Sequence, residues 1–295
     1  SSATLPTAMA YISDSTSEEE RSRGMGMLGA AMGTGMVLGP VLGGWLGETS
    51  LSTPFFVAAG LSVLVLAFIA LALPESLPEN MRQGRGGGLT GPQFGQMWRA
   101  LSSPIGLLLF LAFLVSFGLT NFEAIFGLYA LKRFGYGPKE VGTVLAVIGL
   151  IFVVVQGGLT GPLTKRWGEA LIIKASLLGS VLGFLVMLLA NSFATVLLTV
   201  GLFVFGNAML RPVLASLISK RATTGQGVAM GLNNSFMSLG RMVGPIWAGF
   251  IFDLNFNLPY VSGSIAMLIG FFASMLWLEE ERPQPPEVEP QFTPR

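Results

Sequence analysis

Eight stretches of this chain are apolar over about the length a helix needs to cross a bilayer, on the order of 20 residues. They run over residues 24–47, 54–74, 104–131, 141–163, 170–190, 193–219, 226–252 and 257–278. A lipid environment offers the backbone no water, so each stretch must satisfy its own N–H and C=O groups, which a helix does. Only 11% of the residues are charged and 52% are hydrophobic. Soluble domains carry about 25% charged residues. The mean hydropathy is +0.67, and a soluble core would have nowhere to hide this much apolar surface. The expectation is an all-α polytopic membrane protein.

The composition also excludes chemistry. Histidine and cysteine are both absent, which rules out histidine proton relays, thiol catalysis and cysteine-bound metals. The net charge of +1 argues against a nucleic-acid partner. No phosphate-binding loop of the form G-x4-G-K-[ST] occurs, which argues against drive by ATP. No enzyme constellation, cofactor site or metal site is expected. The opening "SSATLPTAMAYISD" has neither a basic n-region nor a long h-region, so no cleavable signal is expected. Residues 3–12 are apolar but too short to span.

Lysine and arginine set the orientation. Arg21, Arg23, Arg82, Arg85, Arg99, Lys165, Arg166, Lys174, Lys220, Arg221, Arg282 and Arg295 fall on one side of the membrane, and Lys132, Arg133 and Lys139 on the other. The richer side is expected to be cytoplasmic. That side takes the polar, glycine-rich connector 75–103, read as a linker between two bundles. It also takes the acidic, proline-rich tail 279–295, read as disordered. The predicted division is 1–74 as the remainder of an N-terminal six-helix bundle and 104–278 as a C-terminal six-helix bundle. The predicted location is a cell inner membrane, with the C-terminus in the cytoplasm.

The chain repeats itself. In one ungapped register Gly26 meets Gly231, Gly35 meets Gly240, Gly39-Pro40 meets Gly244-Pro245, and Gly44 meets Gly249. Pro54, Glu75 and Pro78 meet Pro259, Glu280 and Pro283. Chance matches glycines readily in a glycine-rich chain, but not three prolines and a carboxylate in one register. The second repeat carries helices 104–190 and 193–219 ahead of this part, whereas the first has only 3–12 there. By symmetry, about three and a half helices, on the order of 100 residues, are expected to be absent upstream. On that reading the chain is part of a twelve-helix, two-bundle fold, and residues 1–295 alone are not expected to transport.

The stretch "GMGMLGAAMGTGMVLGPVLGGWLG", residues 24–47, is the costliest helix here. An interior glycine costs about 1 kcal/mol against alanine and an interior proline about 3. On a helical wheel Gly26, Gly33, Pro40 and Gly44 lie near one line, and Gly24, Gly35 and Gly39 near the opposite line. Small residues let helix backbones approach closely in lipid, so both faces are expected to meet neighbours. Gly26, Gly35, Gly39, Pro40, Gly43 and Gly44 also fit the pattern G-x8-G-x3-G-P-x2-G-G. This resembles the antiporter motif in the fifth helix of the major facilitator superfamily. "AYISDSTSEEERSRGMG" resembles the junction between the fourth and fifth helices of its drug:proton antiporters. "GPLTKRWGE" resembles the superfamily's loop motif at Gly161, Arg166 and Gly168. It departs from that motif at Lys165, where aspartate belongs, and at Glu169 and Ala170, where a basic pair belongs, which puts a charge relay there in doubt.

The resemblance implies alternating access around a midplane substrate site. It implies that the glycine helix either packs tightly or lets the halves rock while sealing against leak. It also implies that charges such as Asp14, Arg21 and Arg23 latch the cytoplasmic side; a solvated positive-inside loop is the other reading.

Charged and amide groups inside spans are costly and favour cavities or partners. Glu123 is the carboxylate well inside a span and a candidate proton carrier, or else a group touching water or pairing with Lys132 or Arg133. Asn121, Gln156, Asn207, Arg211, Asn234 and Arg241 are candidates for coupling or for lining the cavity. Asn207 and Arg211 share a helix face, as do Asn234, Ser238 and Arg241. Arg211 can also snorkel, and Gln156 can also bond a neighbouring helix. Phe117, Phe122, Phe126, Phe203 and Phe205 could line a cavity, although most phenylalanines in a membrane bundle pack or face lipid. The functional expectation is proton-coupled efflux of small amphipathic compounds by a monomer in the lipid bilayer. A metabolite uptake symporter and a non-transporting protein of transporter ancestry are the alternatives.

Overall fold

A computed structural model of the chain describes residues 4–72, 100–222 and 225–278. Among the described residues it is helical throughout, with no strand. The helices are α1 (Thr4–Ser15), α2 (Glu18–Thr49), α3 (Thr53–Ala72), α4 (Gly106–Phe134) and α5 (Pro138–Val154). A π turn (Val155–Leu159) leads into α6 (Thr160–Trp167), followed by α7 (Glu169–Met187), α8 (Phe193–Arg221), α9 (Gln226–Leu254) and α10 (Leu258–Trp277). Residues 75–99 of the linker 75–103 and the tail 279–295 lie outside the described residues.

Local chemistry sets the ends. Ser17 caps α2 by accepting from the Glu20 N–H at 3.4 Å. Ser192 and Thr195 form a reciprocal capping box at the start of α8. Gly135 (φ 71°) follows the end of α4, and Gly168 (φ 78°) stands between α6 and α7. Both adopt the left-handed region that glycine enters without a Cβ penalty.

Seven helical segments among the described residues are long and apolar enough to span a membrane. The segment carrying Glu123 is one of them; α9 is not. At 29 residues α9 is long enough, but Asn233, Asn234 and Arg241 lower its hydropathy. A helix of this kind enters a bilayer with its polar side turned to protein or a cavity.

By its contacts the chain forms two compact units, residues 1–93 with 130–150, and residues 94–129 with 151–295. In the first, no residue of α3 is buried, and Phe55, Phe56, Leu64 and Leu71 project outward. The glycine face of α2 lies on α5. A Cβ at Gly142 of α5 would sit 2.5 Å from the Pro40 carbonyl oxygen and 2.9 Å from Cα of Gly44. A Cβ at Gly44 would sit 2.7 Å from the Pro138 oxygen. Gly149 meets the Met36 carbonyl. That carbonyl is the one Pro40 leaves without an N–H partner four residues on. Gly149 brings a Cα–H to it, a weak contact worth about 0.5–1 kcal/mol.

The second unit has an aromatic core. Phe122, Phe126, Tyr129, Phe184, Phe203 and Tyr260 are all buried. Phe184 and Phe203 lie 4.2 Å apart between centroids, and Tyr129 and Tyr260 lie 4.4 Å apart. Gly183 lets α7 press on α8 here, because its Cβ would fall 2.5 Å from Cα of Phe203. The backbones of α9 and α4 also meet. A Cβ at Gly240 would lie 2.5 Å from the Phe113 oxygen, and one at Gly244 would lie 2.8 Å from the Phe117 oxygen.

Candidate functional site

Three charged side chains lie well inside the helices of the second unit: Glu123 on α4, Arg211 on α8 and Arg241 on α9. Glu123 and Arg241 are exposed and Arg211 is half-buried. The Gly240 and Gly244 contacts hold α9 directly against α4, and the Thr120 hydroxyl donates to the Gly240 carbonyl at 3.3 Å. Arg241 follows Gly240, so the packing fixes its level near Phe117. Its Nη2 donates to Ser238 Oγ at 3.0 Å, the face partner expected from the i, i+3 spacing. The Arg211 Nε is buried with no acceptor among the described residues. Among the described residues no carboxylate lies within 4 Å of either guanidinium.

The amides divide. Asn121 is buried and its Nδ2 donates to the Pro259 carbonyl at 2.8 Å, tying α4 to the first turn of α10. Asn207 is fully buried on α8, and neither amide atom has a hydrogen-bond partner among the described residues. Leaving such a group unpaired costs about 1–3 kcal/mol, so its retention one turn from Arg211 marks a polar spot in an apolar core. Asn234 is exposed on α9, and so is Gln156 in the π turn. That turn is closed by Thr160, whose N–H and hydroxyl both bond the Val155 carbonyl, the hydroxyl at 2.8 Å. π turns inside long helices are frequent at functional sites.

Of the two readings of the aromatics, three of them take the packing one. Phe122, Phe126 and Phe203 are buried against one another and Phe184, so they fill the core rather than line a cavity. Phe117 is half-buried and stacks on Phe113, which stacks on Phe110. Phe205 is exposed.

Of the glycine motif, Gly44 is buried against α5, and Pro40 lies on the same contact. Among the described residues nothing stands within 4 Å of a Cβ at Gly26, Gly35, Gly39 or Gly43. Of the loop charges, Arg23 and Arg166 are exposed, and Arg166 lies over the Trp167 ring at 5.7 Å. Arg21 is exposed near the start of α2. Asp14 is in α1, with its side chain outside the described residues.

Two constellations escaped the sequence reading. One is the glycine pair Gly142 and Gly149, seven residues apart on α5 and facing the motif helix. The i, i+7 spacing was a signal for it. The other is Glu169, buried at the start of α7. It accepts from Ser216 Oγ at 2.5 Å and pairs with Lys220 Nζ at 3.0 Å, both on α8. Ser216 and Lys220 are four apart, and no spacing rule connects them to residue 169.

A sequence profile of the Major Facilitator Superfamily matches residues 1–224 and 157–294. The chain belongs to the Major Facilitator Superfamily. It is 31% identical over 279 residues to Multidrug resistance protein 2 of Bacillus subtilis, covering 94% of this chain and 70% of that protein. It is 29% identical over 270 residues to Quinolone resistance protein NorA of Staphylococcus aureus, covering 90% of this chain and 66% of NorA. Among solved structures it is similar to the human organic anion transporter MFSD10 (TETRAN), with a TM-score of 0.57, 26% identity, and coverage of 90% of this chain and 66% of that one. A peptide transporter at 18% identity and a TM-score of 0.52 shares the fold over 58% of this chain and 37% of its own. The superfamily chain is thus a multi-pass membrane protein, and the fold class read from apolar stretches and the internal repeat is the one these relatives have.

Proposed function

We propose that this superfamily chain serves proton-coupled efflux of small amphipathic compounds by alternating access. The observation that carries the reading is Glu123, a carboxylate well inside a span, in the same unit as Arg211, which lies inside the span of α8. A carboxylate that gains and loses a proton there changes the charge balance of the bundle interior, and its attraction to Arg211 is present only when ionised. Such a group links proton uptake to a conformational preference. Asn207, one turn from Arg211, Arg241 across on α9, and Asn121, Gln156 and Asn234 are the accompanying polar groups of the proposed pathway.

The names of the relatives support export of drugs. The proposed working division is the bundle remainder 1–74, the linker 75–103 and the bundle 104–278. The antiporter motif Gly26, Gly35, Gly39, Pro40, Gly43 and Gly44 is proposed as the smooth seal of its helix, and Asp14, Arg21, Arg23 and Arg166 as cytoplasmic charges. The proposed setting is a cell inner membrane, with a monomer whose C-terminus is cytoplasmic, as the lysine and arginine asymmetry supports.

The test is transport by the native protein containing this chain, reconstituted in liposomes with an imposed pH gradient. Wild type drives dye export against proton entry. Glu123→Gln keeps the shape and loses the titration, so it retains dye counterflow and loses the pH dependence. Full proton-driven export by Glu123→Gln would remove Glu123 from the coupling mechanism.

A further inference from the structure

The charge balance of the second unit is lopsided. The three charged groups well inside its helices are one carboxylate and two guanidiniums, Glu123 against Arg211 and Arg241. Arg241 has a neutral hydroxyl, Ser238 Oγ at 3.0 Å, as its bonded partner, and no carboxylate among the described residues lies within 4 Å of it. Arginine has five donors in a planar fork matched to carboxylates and sulfonates; this bond uses one of them. Arg241 is exposed although it lies mid-helix. An arginine facing hydrocarbon is expensive, so its exposed side is one that meets water, a ligand or further protein. On the helix against which Gly240 packs, Phe110, Phe113 and Phe117 stack as a half-buried ladder with centroids 6.5 and 6.1 Å apart. A guanidinium with unused donors, on a helix packed against the one that carries an aromatic ladder, suits a flat apolar body carrying one acidic group.

We propose that Arg241 binds the acidic group of the transported compound, so that aromatic carboxylates and sulfonates, including zwitterions, are preferred over cations of the same ring system. The proposal rests on the transporter reading above for the word transported, but its binding claim stands apart from it.

The experiment measures dye binding to the native protein containing this chain, in neutral-lipid nanodiscs, without any gradient. The probes are dansylglycine, an anion, and dansylaminoethyl-trimethylammonium, a cation with the same fluorophore. The expected result is a preference of about tenfold for the anion, lost in Arg241→Gln and largely kept in Arg241→Lys, which conserves the charge. Gel-filtration profiles matching wild type establish that each variant is folded, and the wild-type preference is a readout that needs no variant. Equal or tighter binding of the cation by wild type, binding of neither dye, or undiminished anion binding by a folded Arg241→Gln overturns the proposal. Counterflow with the same dyes separates the two readings. Arg241-dependent binding without counterflow sinks the transporter and leaves this site. Counterflow of the cation alone, indifferent to Arg241, sinks this site and leaves the transporter.

Discussion

The contact between α2 and α5 turns on glycines, and Gly142→Ala measures it. The added methyl would lie 2.5 Å from the Pro40 oxygen, 2.9 Å from Gly44 Cα and 3.3 Å from Gly44 N. All three are backbone atoms and cannot swing aside. Restoring an ordinary contact requires the two helices to part by about 1 Å, and a gap of that size forfeits roughly a quarter to a half of each van der Waals well it opens. Overpacking of this kind costs about 1–3 kcal/mol. Alanine's better helix propensity offsets up to about 1 kcal/mol, leaving a net loss of about 1–2. At roughly 2–4 °C per kcal/mol for a domain of this size, thermal unfolding in nanodiscs should shift down by several degrees. Gly39→Ala is the control, because nothing described lies within 4 Å of its Cβ. There only the propensity term acts, and the midpoint should hold or rise in residues 1–295. A midpoint for Gly142→Ala that matches or exceeds wild type would refute the glycine contact between the helices.

Other variants test other joints. Gly240→Leu should destabilise more than Gly35→Leu in residues 1–295, since Gly240 abuts the Phe113 and Phe117 backbone while Gly35 meets open space; unfolding midpoints compare them. Glu169→Ala removes a buried carboxylate together with its bonds from Ser216 and Lys220. It should cost about 2–3 kcal/mol, whereas Lys220→Ala, on a side chain 62% exposed, should cost about 1 or less. Asn121→Leu removes the bond to the Pro259 carbonyl at 2.8 Å. It should cost about 1–3 kcal/mol, read as faster hydrogen exchange at the start of α10.

Much of the fold was legible because lipid simplifies the code. A helix that must satisfy its own backbone in hydrocarbon needs length and apolarity, and both can be read from letters. The stretch 193–219 became α8, ending two residues later at Arg221, because nothing competes with the helix there. Where a helix carries polar groups the code blurs: α9 forms, but Asn233, Asn234 and Arg241 lower the hydropathy by which it would be recognised as a span. The π turn at Val155–Leu159 was not legible, since Gln156-Gly157-Gly158 reads as an ordinary weak patch, and the hydroxyl bond from Thr160 that closes it is a matter of geometry. The aromatics were ambiguous for a related reason. Phenylalanine has no polar atom to betray which way it faces, so Phe122 and Phe203 could have lined a cavity or packed, and they pack in the core.

The internal repeat does more than mark ancestry, because it converts an observed contact in one half into an interpretation of the other. Gly35 and Gly39 occupy the register of Gly240 and Gly244. In the second copy those two glycines carry α9 onto the backbone of α4, with the Thr120 hydroxyl bonded across to Gly240. In the first copy the same two positions have open space beside them among the described residues, while the opposite side of the helix, through Pro40 and Gly44, is packed on α5. A glycine helix with two smooth faces therefore has two jobs that can be separated by position. The Pro40 and Gly44 face is already engaged, and changes there act on folding. The Gly35 and Gly39 face has the form that its counterpart uses for a backbone-to-backbone helix crossing, and changes there act only where a helix equivalent to α4 lies against it. The penalties of glycine and proline in this helix are then placed where close approach requires them: Pro40 orphans the Met36 carbonyl, and Gly149, lacking a Cβ, is the residue that can come near enough to meet it.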